Sequence, residues 1–239
     1  MADDKPPDKP ITTWVRFGYP EETPIDATLF RPLKAQQDDL LQIRYGQVLE
    51  SPEERMLMVA WKYSQAWIRF SGSSHYEELL ANLGTHSDDT PVIQAVDFNR
   101  DYPSRAVSSH TEIRTVYFPV SIPPETREAV RNADGLVTTA AYGPRLQYLS
   151  PYVLRPMLGW IEGTQKWEGE DAVACVWIHT WKSERAEDKF KTTGWLPRFK
   201  DGKLSKPLAI VLFEQDLKDL GALGWNDYHV SFQKTGYIP

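Results

Sequence analysis

The segment WKYSQAWIRF at residues 61–70 returns 120 positions later as WKSERAEDKF at residues 181–190, with Trp, Lys and Phe in the same places. A strand-to-helix corner that occurs twice constrains a chain of 239 residues strongly. It leaves room for two units of about 100 residues each, a common size for independent folding.

The flanking segments repeat as well. Residues 11–18 mix β-branched and aromatic residues, as strands do. A turn and helix follow from Pro24, with Asp26 as a candidate N-cap. Residues 42–50 and 55–61 read as a second and third strand around a turn at Pro52. Ser64 is placed to cap a short helix, and Ser74 with Glu77 forms an S-x-x-E capping box for another that stops at Gly84. Residues 91–98 supply a fourth strand. In the second half the same order reads as a strand at 111–120, a helix from Pro124, strands at 158–167 and 172–181, a helix after Ser183 and a strand at 208–213. Gly46 then matches Gly163, Trp61 matches Trp181, Phe70 matches Phe190 and Pro91 matches Pro207.

Strand, helix, strand, strand, helix, strand is the plan of a ferredoxin-like α+β unit, whose helices cover one sheet face and leave the other bare. About ten apolar side chains on a bare face, at roughly 1.5 to 3 kcal/mol each, reward packing it against a second sheet. The expected fold is therefore α+β, with two tandem ferredoxin-like units whose antiparallel sheets pack into an intramolecular α+β barrel. The expected division is a disordered tail at 1–10, a first repeat at 11–104, a second at 105–222 and a C-terminal tail at 223–239. Residues 142–157, YGPRLQYLSPYVLRPM, have no counterpart in the first repeat and read as a lid or an insertion.

The stretch YGQVLESPEERMLMVAWKYSQAWIRFSGSSHYEELL resembles the dimeric α+β barrel superfamily, in particular its antibiotic-biosynthesis-monooxygenase and stress-responsive A/B barrel branches. The shared motif is a strand hairpin ending in Trp, a helix ending in Phe and a short second helix. The resemblance implies that this chain is a covalent version of the usual dimer. Its cyclase members imply a catalytic His at the start of the second helix, where His75 stands. Its monooxygenase branch implies a site-lining Trp where Trp61 and Trp181 stand.

Composition narrows the function classes. A net charge of −6 with Lys and Arg scattered along the chain gives no phosphate-tracking stripe, so nucleic acid is not an expected partner. The single cysteine, Cys175, allows no disulfide framework or Cys-based metal spacing. No apolar run approaches the roughly 18 residues of a membrane span, and the polar, proline-rich start is unlike a secretory signal, so a cytoplasmic protein is expected. Dinucleotide, P-loop, zinc-protease and nucleophile-elbow motifs are absent, and no cofactor is expected.

The candidate site residues follow from strand period and helix starts. His75 is the candidate general base of the first repeat, and Trp195 takes the matching place in the second. His179 shares a strand face with Trp177 and Trp181, which is the pattern of an aromatic-lined pocket or of a satisfied core histidine. Tyr45 could hold a phenol or ketone by hydrogen bond, and Trp61 is either a pocket wall or a packing anchor. Arg16 and Arg114, on the two first strands, would bind an enolate or carboxylate if they point inward. His86, His110 and His229 are assigned structural places only.

These readings point to a cofactor-free enzyme acting on a hydrophobic small molecule by proton transfer, leading to cyclisation, isomerisation or elimination. In that scheme His75 is the base, and Tyr45 or His179 polarises a carbonyl. A cofactor-independent monooxygenase of phenolic substrates and a non-catalytic ligand-binding or stress-associated barrel are the alternatives. The expected assembly is a monomer acting as a pseudo-dimer, or a homodimer.

Overall fold

The computed structural model describes residues 8–87, 91–99, 101–103, 109–133, 136, 150–193, 198–200, 203–205 and 208–234. The chain divides into two units. The first holds Met1–Ser104, Gly159–Glu162 and His229–Pro239, and the second holds Arg105–Leu158 and Gly163–Tyr228.

In the first unit β1 (Ile11–Gly18) lies between β3 (Glu54–Trp61) and β4 (Val92–Asp97), antiparallel to both. On the other side of β3 runs β2 (Leu40–Val48). Residues 55–61 are all buried, which explains why RMLMVAW reads as a nearly continuous apolar run instead of alternating. Helices α1 (Ser64–Ser71) and α2 (Ser74–Leu83) and a 3-10 stretch at Ala27–Asp39 supply Ala66, Phe70, Leu79, Leu83, Phe30 and Leu33. Those side chains form one core with Ile11, Val15, Phe17, Leu57, Val59 and Trp61. Asp26 caps the 3-10 stretch by accepting from Thr28 N at 2.8 Å, as expected of it. Pro32 sits inside that stretch, where its fixed φ is tolerated. Helix α2 is preceded by Ser73, so Ser74 is its first residue, and no side-chain cap bond forms there.

The second unit pairs β5 (Thr111–Pro119) with β8 (Glu170–Thr180) along nine residue pairs. A short β7 (Gln165–Trp167) follows β6 (Met157–Ile161) and pairs with β8. Helices α3 (Pro124–Arg131), α4 (Glu184–Thr193) and α5 (Ala209–Asp219) belong to this unit. A small ladder joins β9 (Arg198–Lys200) to β10 (Lys203–Ser205).

Three expectations need correction. Residues 208–213 are not a strand: they open α5, because the β-prone LAIVLF continues into EQDLKD and buries Ala209, Phe213 and Leu217 at four-residue spacing. Residues 223–239 are not merely a tail, since β11 (Gly224–Lys234) runs through them and its Val230, Phe232 and Lys234 pair with Val48, Gly46 and Arg44 of β2. Gly46 and Gly163 are not equivalent. Gly46 lies mid-strand, where a Cβ would stand 2.6 Å from Ser231 O, while Gly163 sits between β6 and β7 with φ +76°.

Trp195 and Pro207, the expected partners of His75 and Pro91, lie outside the described residues.

Candidate functional site

Strand register decides what gathers in the second unit. Glu112 stands opposite His179, and Arg114 stands opposite Trp177. Because side chains alternate along a strand, Glu112 and Arg114 share one face of β5, and Trp177, His179 and Trp181 share one face of β8 and its exit. Helices lie over that face. Phe213 of α5 meets Trp177 edge-on at 5.1 Å, and Phe190 of α4 lies 6.0 Å from Trp181.

Glu112 is the centre of the cluster and is fully buried. Its Oε2 accepts the Trp181 indole N–H at 2.9 Å. Its Oε1 accepts from Lys191 Nζ at 3.0 Å and from Arg114 at 3.4 Å. Burial works against its ionisation, but His179 when protonated, together with Lys191 and Arg114, holds its carboxyl below the usual range. Arg114, 2% exposed, also donates to Glu214 at 3.1 Å and to Asp227. Lys191 pairs with Glu187 at 2.5 Å, and Glu187 meets His110 Nε2 at 2.6 Å. This is a network of paired charges, the form in which a protein interior tolerates ions.

His179 is the exception within it. The ring is fully buried, and neither nitrogen has a hydrogen-bond partner among the described residues. Its Nδ1 lies 3.7 Å from Glu112 Oε2, within ion-pair range and outside hydrogen-bond range. Tyr152 stacks on it at 5.8 Å and Trp181 at 6.1 Å, and Phe213 approaches edge-on at 6.4 Å. Burial depresses the imidazole to a pKa of about 4 despite the opposing pull of Glu112, so at neutral pH it is an uncharged base. Tyr152 is brought there by a short strap: Val153 N donates to Thr180 O at 2.8 Å, and Lys182 N donates to Pro151 O at 2.9 Å.

The first unit offers an internal comparison. Thr13 stands opposite Val59 as Glu112 stands opposite His179, and Val15 stands opposite Leu57 as Arg114 stands opposite Trp177. Trp61 donates its indole N–H to Thr13 Oγ1 at 3.0 Å, the same bond that Trp181 makes to Glu112. The tryptophan and its acceptor are common to both units. The histidine, the arginine and the carboxylate belong to the second unit alone.

Of the residues expected from sequence, the structure brings together His179, Trp177, Trp181 and Arg114. The others lie in the first unit, each in a setting of its own. His75 is exposed on α2, with Nδ1 3.8 Å from Glu78. Tyr45 is half-buried on β2 and packs on Phe30 at 5.5 Å. Trp61 is a core residue, and Arg16 is exposed and paired with Glu54. Arg16 lies one register position away from Val15, which stands opposite Leu57 as Arg114 stands opposite Trp177. Sequence reasoning missed Glu112, Lys191, Glu187 and Tyr152. For Glu112 a signal existed: in TEIR it lies two residues before Arg114, hence on the same face.

No known family profile matches the chain, and no curated protein matches it in sequence. Solved structures do match its shape. A candidate monooxygenase from Lactobacillus acidophilus NCFM is 10% identical with a TM-score of 0.53, over 94% of each chain. An anthrone oxidase-like protein is 10% identical with a TM-score of 0.52, over 98% of this chain and 96% of its own. A candidate monooxygenase from Fusobacterium nucleatum is 9% identical with a TM-score of 0.53, over 96% of both. At such identity the likeness shows the fold alone, an α+β fold of the barrel-like kind. Among the described residues no helix is long and apolar enough to cross a membrane.

Proposed function

We propose that this protein is an enzyme of small-molecule metabolism whose active centre lies in the second unit, with His179 as the general base. The carrying observation is a fully buried, neutral imidazole with no hydrogen-bond partner among the described residues, set beside the Glu112 carboxylate and among Tyr152, Trp177, Trp181 and Phe213. An unpaired polar group in such a place costs about 1–3 kcal/mol, which a purely structural histidine would not retain without return. We take the ligand to be planar and weakly acidic, since the surrounding rings would match its faces and the imidazole would take its proton once these buried side chains part to admit it. The imidazolium that forms is stabilised by Glu112. The ligand anion then rearranges by isomerisation, cyclisation or elimination and recovers a proton from His179.

In this reading the base is His179 in place of His75, and the first unit is a scaffold copy of the same plan. The shared Trp61–Thr13 and Trp181–Glu112 bonds support descent of both units from one repeat.

A second reading is favoured by the fold likeness: a cofactor-independent monooxygenase in which the deprotonated phenolic ligand reduces molecular oxygen. For an anthrone the balance is one CH2 oxidised to C=O, with one O2 consumed and one water released. The test is turnover of 1,8-dihydroxyanthrone and related tricyclic phenols under air and under argon, with an oxygen electrode. His179→Gln is expected to lose 10²–10⁴-fold in rate, the usual worth of a general base. Turnover unaltered in His179→Gln removes the proton-transfer reading, and equal turnover under argon removes the oxygenase.

A further inference from the structure

Glu112 exceeds what its place in the fold requires. In the first unit the same register position is filled by Thr13, whose hydroxyl satisfies the buried tryptophan N–H at 3.0 Å. A neutral acceptor therefore meets the packing need at this corner. In the second unit a buried carboxylate stands there and needs Lys191 and Arg114 to neutralise it. Directly across the ladder from it, where the first unit has Val59, stands His179.

The geometry points to Glu112 as a positioning residue that fixes the tautomer of His179, holding the proton on Nδ1 and leaving Nε2 as the bare base. Oε2 faces Nδ1 at 3.7 Å, and a negative charge there favours an N–H over a lone pair on the nearer nitrogen. The charged groups acting on the ring are Glu112 and Arg114 on β5 and Glu187 and Lys191 on α4, with Glu214 on α5 and Asp227 on β11 behind Arg114. Lys191 and Arg114 bind Glu112, and Glu187 engages Lys191, while Glu214 and Asp227 engage Arg114. Glu112 is thus the anion of this set that approaches Nδ1. Lys191 and Arg114 also keep Glu112 ionised, so that it orients the imidazole without competing for the ligand's proton. A Trp181 N–H on the same oxygen fixes the carboxylate plane.

The inference rests on His179 being the working base, and its test needs no substrate. In full-length protein with ¹⁵N-labelled histidine, long-range proton–nitrogen correlation spectra report which ring nitrogen carries the proton, and His179→Gln assigns the signal. The expected result at neutral pH is a protonated Nδ1 and a bare Nε2. Glu112→Thr, which copies the first unit, should lower the ratio of the Nδ1–H to the Nε2–H form about tenfold or more, a change of about 1.4 kcal/mol. Glu112→Asp should restore part of it. Glu112→Gln, close in shape, gives the same reading if the threonine variant does not fold. A wild-type protein with the proton on Nε2 overturns the inference, as does a folded Glu112→Thr or Glu112→Gln with the wild-type ratio. A tautomer shift in Glu112→Thr alongside full turnover in His179→Gln sinks the proposed function and leaves the positioning role standing.

Discussion

His179 and Glu112 face each other across two paired strands, 3.7 Å apart at Nδ1 and Oε2, in a setting that excludes water from both side chains. The pair makes stability depend on pH with a definite sign. In the folded chain His179 takes a proton only near pH 4, whereas the unfolded chain takes it near 6.5, so between those values the unfolded state binds more protons. Stability is therefore lost as pH falls from about 6.5 to about 4, by roughly 3 kcal/mol for this group, and is unaffected by it above that window. Glu112 adds loss in the same direction at lower pH, because its carboxyl is held below its ordinary value when folded. Urea unfolding at pH 7, 6 and 5 should show a decline in the wild type that His179→Leu largely abolishes. Parallel declines in the two proteins would show that His179 is not the source.

Removing one partner of a buried charge network costs more than the network contributes. Glu112→Ala leaves Arg114 and Lys191 without their shared carboxylate, and the expected loss is about 3–5 kcal/mol by equilibrium unfolding. Combining it with Arg114→Leu should recover a measurable part of that loss. Simple additivity of the two changes would contradict the network.

The two corner tryptophans should differ in worth. Trp61→Phe removes a hydrogen bond to a neutral hydroxyl, about 1 kcal/mol, while Trp181→Phe removes one to a carboxylate, about 1.5–3 kcal/mol. Both side chains are buried, so their loss of packed volume is alike. Equal destabilisation of the two variants would indicate that the charge on Glu112 adds nothing to the bond.

His75→Ala should lie within about 0.5 kcal/mol of the wild type in stability, since the side chain is exposed and its nearest charged partner is 3.8 Å away. Turnover of any substrate that His179→Gln abolishes should survive it. Loss of turnover in His75→Ala with stability intact would return the base to the first unit.

The elements were largely legible because period and punctuation were strong. RMLMVAW and AVACVWIHTW are apolar runs of strand length bounded by turns, and Asp26 marked the cap of the helix expected after Pro24, which forms as a 3-10 stretch. Residues 208–213 misled because six β-prone residues in a row carry no period of their own. Only the wider frame, Ala209, Phe213 and Leu217, shows the helix. The site was half legible. His179, Trp177 and Trp181 lie on one strand, so period two alone gathered them. Arg16 and Arg114 were equal candidates on the two first strands, and only the packed structure separates the exposed Arg16 from the buried Arg114. Glu112 was signalled only by its place two residues before Arg114, and Lys191 by nothing local, because they meet only after β5, β8 and α4 have packed.

The strand β11 closes the edge of β2 with residues from the far end of the chain, and Gly46 fits it because no side chain stands in the way. During synthesis, then, the unit begun first is finished last. Until residues beyond His229 leave the ribosome, β2 presents an open row of amides and carbonyls of the kind that other strands can pair with. A nascent chain halted early is therefore more exposed to mispairing than its length alone implies.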